Sequence, residues 1–118
     1  MNYRHIQVSP IAGAIGAEIA GINLTGNLPE DTIAEVREVL LEHLVIFLRD
    51  QDISDEDLAR FGRQFGELAP LPPHRQFPGK FPELLVVDKK PDDKLNFGWE
   101  WHSDTTHLEV PSLGSILV

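Results

Sequence analysis

Cysteine is absent from the 118 residues, which removes disulfide frameworks, thiolate zinc sites and cysteine nucleophiles from consideration. Long apolar runs are absent too. Leu44 to Leu48 is about as long as they get, far short of the roughly 20 residues that cross a bilayer. The opening Met1-Asn2-Tyr3-Arg4-His5 has no apolar core of the kind a signal peptide carries. Basic residues are scarce: 10 Lys and Arg stand against 19 Asp and Glu, a net charge of −9. Phosphate backbones and anionic membranes are met by clustered Lys and Arg, so neither nucleic acid nor a membrane is an expected partner. A cytoplasmic protein is the plain expectation. Internal repeats and low-complexity tracts are also missing.

What is present reads as an ordinary globular chain. Hydrophobic residues make up 42% and charged residues 25%, inside the range of folded domains, and a chain of this size buries about two-thirds of its unfolded surface. Ile6 and Val8 alternate with polar neighbours, and glycines 13, 16 and 21 punctuate a second short strand around Ala17 to Ile19. A helix entrance follows at Asn27 to Pro29, with Pro29 at the first helical position and Glu30 and Asp31 at the positive end of the dipole. Ile33, Val36 and Leu40 repeat at helical spacing, with Val39 and Leu44 close to the same stripe. Val45 to Leu48 is a short apolar strand. Ser54 then caps a second helix with Asp57 three residues on. Its buried stripe is Leu58, Phe61 and Phe65, and Gly66 is its terminator.

From Ala69 the texture changes. Prolines 70, 72, 73, 78 and 82 exclude helix and disfavour central strand, predicting a long loop, and long loops inside compact domains are often functional. Leu84 to Val87 and Trp101 to Leu108 read as strands, with a polar loop from Asp88 to Gly98 between them. The chain ends on the apolar Leu113 to Val118, another strand. A strand ending at its most apolar point leaves an unpartnered edge, so a truncated domain is expected. The acidic cluster Asp50, Asp52, Asp55, Glu56 and Asp57 lacks the glycine and terminal glutamate of an EF-hand loop; helix capping accounts for it better.

His102-Ser103-Asp104 is the segment with chemistry in it. On a strand, positions two apart share a face, so the imidazole and the carboxylate would converge while Ser103 faces away. One histidine, one carboxylate and a second histidine form the facial triad of non-haem iron(II) oxygenases, which leaves metal positions open for co-substrate and oxygen. With 5 histidines in the chain, one His-x-Asp triplet is a weak signal. A surface His and Asp sharing a hydrogen bond is the bland alternative.

Context sharpens it. Residues 13–24 (Gly-Ala-Ile-Gly-Ala-Glu-Ile-Ala-Gly-Ile-Asn-Leu), residues 45–51 (Val-Ile-Phe-Leu-Arg-Asp-Gln), Phe65-Gly66-Glu67-Leu68 and Trp101-His102-Ser103-Asp104 together resemble the TauD/TfdA (taurine dioxygenase) family, in order and at about the family's spacing. The resemblance implies an α+β, mainly β fold: part of a double-stranded β-helix, a jelly roll, with two outer helices, residues 1–118 being the amino-terminal portion of one such domain. It implies His102 and Asp104 as two ligands of Fe(2+). A third histidine ligand, and an arginine and a threonine that hold the co-substrate 2-oxoglutarate, would fall past Val118, leaving no cofactor-binding residue within this chain.

The implied activity is that of an oxidoreductase, a dioxygenase that decarboxylates 2-oxoglutarate to succinate with O2 while hydroxylating a small organic substrate. Taurine enzymes carry histidines soon after Phe-Gly-Glu-Leu, where Ala69, Pro70 and Leu71 stand here, so taurine itself fits poorly. His74, with Arg75 beside it, is the candidate for an anionic head group, and Thr105 for a pocket wall; a solvated loop is the plainer reading of the first pair. Two protein ligands alone hold metal weakly, so the chain is expected to be inactive by itself. Two other readings stay open. One is a catalytically dead remnant serving as a binding or assembly module, with a partner or a second copy in a homo-oligomer covering the terminal strand. The other is a zinc hydrolase, since His and Asp also ligate zinc.

Overall fold

The computed structural model describes residues 3–69, 81–87, 89–94, 98 and 100–118. Two compact units divide the chain, residues 1–68 and residues 69–118.

The first unit holds the regular structure. Strand β1 (Gln7–Pro10) pairs antiparallel with β2 (Ala17–Ala20), Gln7 facing Ala20 and Pro10 facing Ala17. The chain turns between them at Ile11 to Gly16, where the Ile11 N–H donates to the Gly16 carbonyl at 2.9 Å and Gly16 takes φ 94, a conformation open to glycine at little cost. Helix α1 (Glu30–His43) crosses over to β3 (Ile46–Phe47), which lies parallel to β2 with Ala17 facing Ile46. The sheet order is β1-β2-β3, and helix α2 (Asp55–Arg63) follows.

Packing explains the arrangement. Ile33, Val36 and Val39 present one stripe of α1 to Ala17 and Ile19 of the sheet, and Ile6, Leu24 and Phe61 close the cluster. Phe61 meets Phe65 edge-on, with ring centroids 5.2 Å apart. Side-chain amides tie the connections down. Gln51 accepts from the Leu24 N–H and donates to the carbonyls of Ile22 and Arg49. Gln64 donates to the Leu28 carbonyl and accepts from the Leu28 N–H. Arg37 donates to the Phe65 carbonyl at 3.0 Å while its guanidinium lies over the Phe65 ring.

Several boundaries differ from expectation. Pro29 sits at the cap position just before α1 rather than inside it. Leu40 is half-buried, and Leu44 lies past the helix end at φ 65, exposed instead of on the stripe. The apolar strand shrinks to Ile46–Phe47. Helix α2 ends at Arg63, ahead of Gly66, with the Gln64 and Phe65 N–H groups reaching back to Phe61 and Gly62.

The larger correction concerns the second unit. The expected strands at Leu84 to Val87, Trp101 to Leu108 and Leu113 to Val118 are not strands. A strand needs a hydrogen-bonding neighbour, and among the described residues none is aligned with these segments. Short turns take their place, closed by Leu84 N–H to Phe81 O, Asp93 N–H to Lys90 O and Leu108 N–H to Thr105 O. The regular structure among the described residues is therefore a three-stranded sheet with two helices. No helix among them is long and apolar enough to cross a membrane.

Candidate metal centre

His102 lies in irregular backbone and Asp104 at the start of a bend, neither on a strand, yet they converge: His102 Nε2 is 3.4 Å from Asp104 Oδ1. The route differs from strand alternation. After Asp104 the backbone enters the left-handed region at Thr105, φ 53. The turn is fastened by the Leu108 N–H on the Thr105 carbonyl and by the Ser112 N–H on Thr105 Oγ1 at 3.0 Å. Ser103 and Thr106 share a hydroxyl hydrogen bond at 2.9 Å. These contacts curl the segment so that residues 102 and 104 reach one point.

The other side of the imidazole is held as well. His102 Nδ1 lies 2.6 Å from the Glu100 carbonyl oxygen. A carbonyl only accepts, so Nδ1 donates in this bond and Nε2 is the ring nitrogen left to face Asp104. That nitrogen faces a carboxylate oxygen of Asp104. With a proton on Nε2 the two make an ion pair, and without it they are a nitrogen and an oxygen donor that one cation could share. Ligands about 2.1 Å from a metal and at right angles to each other stand about 3 Å apart, so the 3.4 Å separation suits two adjacent corners of a coordination shell. A backbone carbonyl fixing the tautomer of a ligating histidine is also the usual second contact at metal sites. The donor set fits a divalent metal. Both side chains are more than half exposed, at 54% and 66%, and among the described residues no third His, Asp or Glu joins them. A cavity of about 410 Å³ adjoins His102, lined also by Gly98, Glu100 and Trp101.

Residues 7–118 match the family described as "Taurine catabolism dioxygenase TauD, TfdA family". The chain belongs to this family. Among the relatives of this TauD/TfdA chain is the alpha-ketoglutarate-dependent sulfate ester dioxygenase of Pseudomonas putida, 34% identical over 113 residues, which cover 95% of this chain and 36% of the relative. A crystal structure from Burkholderia xenovorans, provisionally assigned as an alpha-ketoglutarate-dependent taurine dioxygenase, superposes with a TM-score of 0.72 at 37% identity, covering 86% of this chain and 35% of the other. The structure of AAD-2 in complex with Mn(II) and N-oxalylglycine matches at a TM-score of 0.52 and 26% identity, covering 52% of this chain and 24% of that one. The chain thus spans about a third of the length of the curated relative it matches.

The TauD/TfdA chain's remaining site candidates fare differently. His74 and Arg75 lie outside the described residues. Thr105 is half-buried directly after the motif, its hydroxyl engaged by Ser112. His107 is exposed, and His5 and His43 belong to the first unit. Sequence reasoning missed the Glu100 carbonyl, which no residue identity could have revealed. It also missed Gly98, whose only signal was a glycine shortly before the histidine.

Proposed function

We propose that this chain supplies two ligands, His102 through Nε2 and Asp104 through its carboxylate, to the Fe(2+) of a 2-oxoglutarate-dependent dioxygenase. One observation carries the reading: Nδ1 is committed to the Glu100 carbonyl while Nε2 faces a carboxylate oxygen 3.4 Å away. When bound, the iron with 2-oxoglutarate and O2 supplies oxidation of a C–H bond coupled to formation of succinate. This chain's residues hold and orient: the Glu100 carbonyl sets the tautomer, and the Thr105 turn sets the approach of Asp104.

The substrate is a small anionic organic molecule, and a sulfate ester is the class favoured by the relative acting on such esters. Taurine is not favoured, because Ala69, Pro70 and Leu71 replace the histidines expected of taurine enzymes. His74 with Arg75 is assigned to the anionic head group and Thr105 to a wall of the pocket. Residues 1–118 form the amino-terminal part of one dioxygenase domain, so the third ligand and the 2-oxoglutarate site are not furnished by them. On this reading the chain binds divalent metal weakly and forms no succinate by itself.

Titration with Mn(II), followed by the loss of the free-ion electron paramagnetic resonance signal, tests the reading. The 118-residue chain should bind, and His102→Ala and Asp104→Ala should each abolish binding. If both variants bind Mn(II) as the parent does, the metal assignment is wrong. Succinate formed only with iron(II), 2-oxoglutarate and O2 in a protein carrying the whole domain would separate this reading from a zinc hydrolase.

A further inference from the structure

Gly98 combines two features that bear on the His102 ring. Its φ is +69, in the left-handed region where a side chain is disfavoured. A Cβ built on it would stand 3.2 Å from His102 Cε1 and 3.8 Å from Nε2. Carbon atoms rest against one another at about 3.5–4.0 Å, so the ring would have to yield by a few tenths of an ångström.

The direction of that push matters. Cε1 lies between the two ring nitrogens, so pressing on it moves both together. On one side Nδ1 is hydrogen-bonded to the Glu100 carbonyl at 2.6 Å, a short contact with no slack. On the other, Nε2 is directed at Asp104. Gly98 and Glu100 also line the same cavity as His102 and Trp101.

We propose that Gly98 is a positioning residue for His102: its bare, left-handed backbone leaves the room in which the imidazole turns Nδ1 to Glu100 and offers Nε2 beside Asp104. The role in metal binding rests on the function proposed above; the control of the tautomer stands apart from it.

Nitrogen-15 long-range correlation spectra of the metal-free, ring-labelled full chain test this, with the His102 signals assigned by their loss in His102→Ala. The neutral parent ring should show the Nδ1–H form. Gly98→Ala should mix in the Nε2–H form and weaken Mn(II) binding about tenfold or more, the scale on which contacts behind a ligand act. Gly98→Asn separates the causes, because asparagine tolerates the left-handed backbone several-fold better yet still carries a Cβ. It should disturb the tautomer as alanine does. The proposal is overturned if both variants keep the parent tautomer, or if asparagine restores it, since backbone strain rather than ring contact would then be responsible. Unchanged amide signals from α1 in each variant exclude general unfolding. Should His102→Ala itself leave Mn(II) binding intact, the metal reading falls while the tautomer result still decides the role of Gly98.

Discussion

Leu44 is a leucine in a conformation that suits glycine. Its φ of 65 follows the last turn of α1, where its N–H caps the Leu40 carbonyl at 2.8 Å. Left-handed backbone costs an L-residue about 1–2 kcal/mol, and at 65% exposure the side chain recovers little of that by burial. Leu44→Gly should therefore raise stability by about 0.5–1 kcal/mol, the relief being partly offset by the freer unfolded chain. A higher urea midpoint at unchanged slope would show it; a lower midpoint would mean that Leu44 makes contacts worth more than the strain. The same position shows where residue-level reading fails. Leu44 belongs to the apolar stripe by spacing, but the helix stops at His43 with neither Gly nor Asn to mark its end. His102 and Asp104 give a different lesson. Their convergence was expected from strand alternation, and that basis failed: the pair meets instead through a bend and a Thr105 turn, which depend on hydroxyl and carbonyl contacts that residue identity does not encode.

At the scale of elements, α2 shows what local sequence does determine. Ser54 Oγ accepts from the Asp57 N–H, and Asp57 Oδ2 accepts from the Ser54 N–H, the two halves of a capping box. Arg60 donates to Asp57 Oδ1 at 2.6 Å. Every partner lies within six residues, so the cap was readable in advance. Ser54→Ala should cost about 1 kcal/mol, measurable by urea unfolding. The hydrogen bonds from the Ser54 side chain, the Arg60 guanidinium and the Ser54 backbone hold the Asp57 carboxyl well below its usual range. With its native pKa depressed, Asp57 contributes fully above the ordinary aspartate value of about 3.9 and loses that contribution as pH falls toward the lower native value. Asp57→Asn should therefore flatten the acid side of the stability profile, and identical acid slopes for parent and variant would contradict the assignment. Glu35 acts in the same sense. Desolvation pushes its carboxyl up, but N–H donation from Arg4 and His5 outweighs this and leaves it lowered. The strands expected after residue 83 fared worse than the helices for a physical reason. A helix satisfies its own backbone, while a strand exists only with a partner that a local pattern cannot supply.

For the molecule as a whole, regular structure and candidate chemistry belong to different stretches of chain. The buried cluster of Ile6, Ala17, Ile19, Leu24, Ile33, Val36, Val39 and Phe61 lies wholly in the first unit. Phe61→Ala should remove about 3–5 kcal/mol from it, a large share of what a small unit holds. The described part of the second unit has neither helix nor strand, and the His102–Asp104 pair rides on turns. Amide exchange follows local opening, and opening is cheap where few backbone groups are paired and little apolar surface is buried. In the metal-free chain, the amides of Val36, Val39 and Leu40 should exchange slowest, and those of Trp101 to Thr105 much faster. Mn(II) should then slow the 101–105 amides selectively, because an ion held by His102 and Asp104 stabilises only the states in which both side chains face it. Exchange near residue 102 that is already as slow as in α1 would show a site built before the metal arrives. If Mn(II) leaves these amides unchanged at concentrations that occupy the protein, the ion lies elsewhere, and His102 and Asp104 are a surface pair.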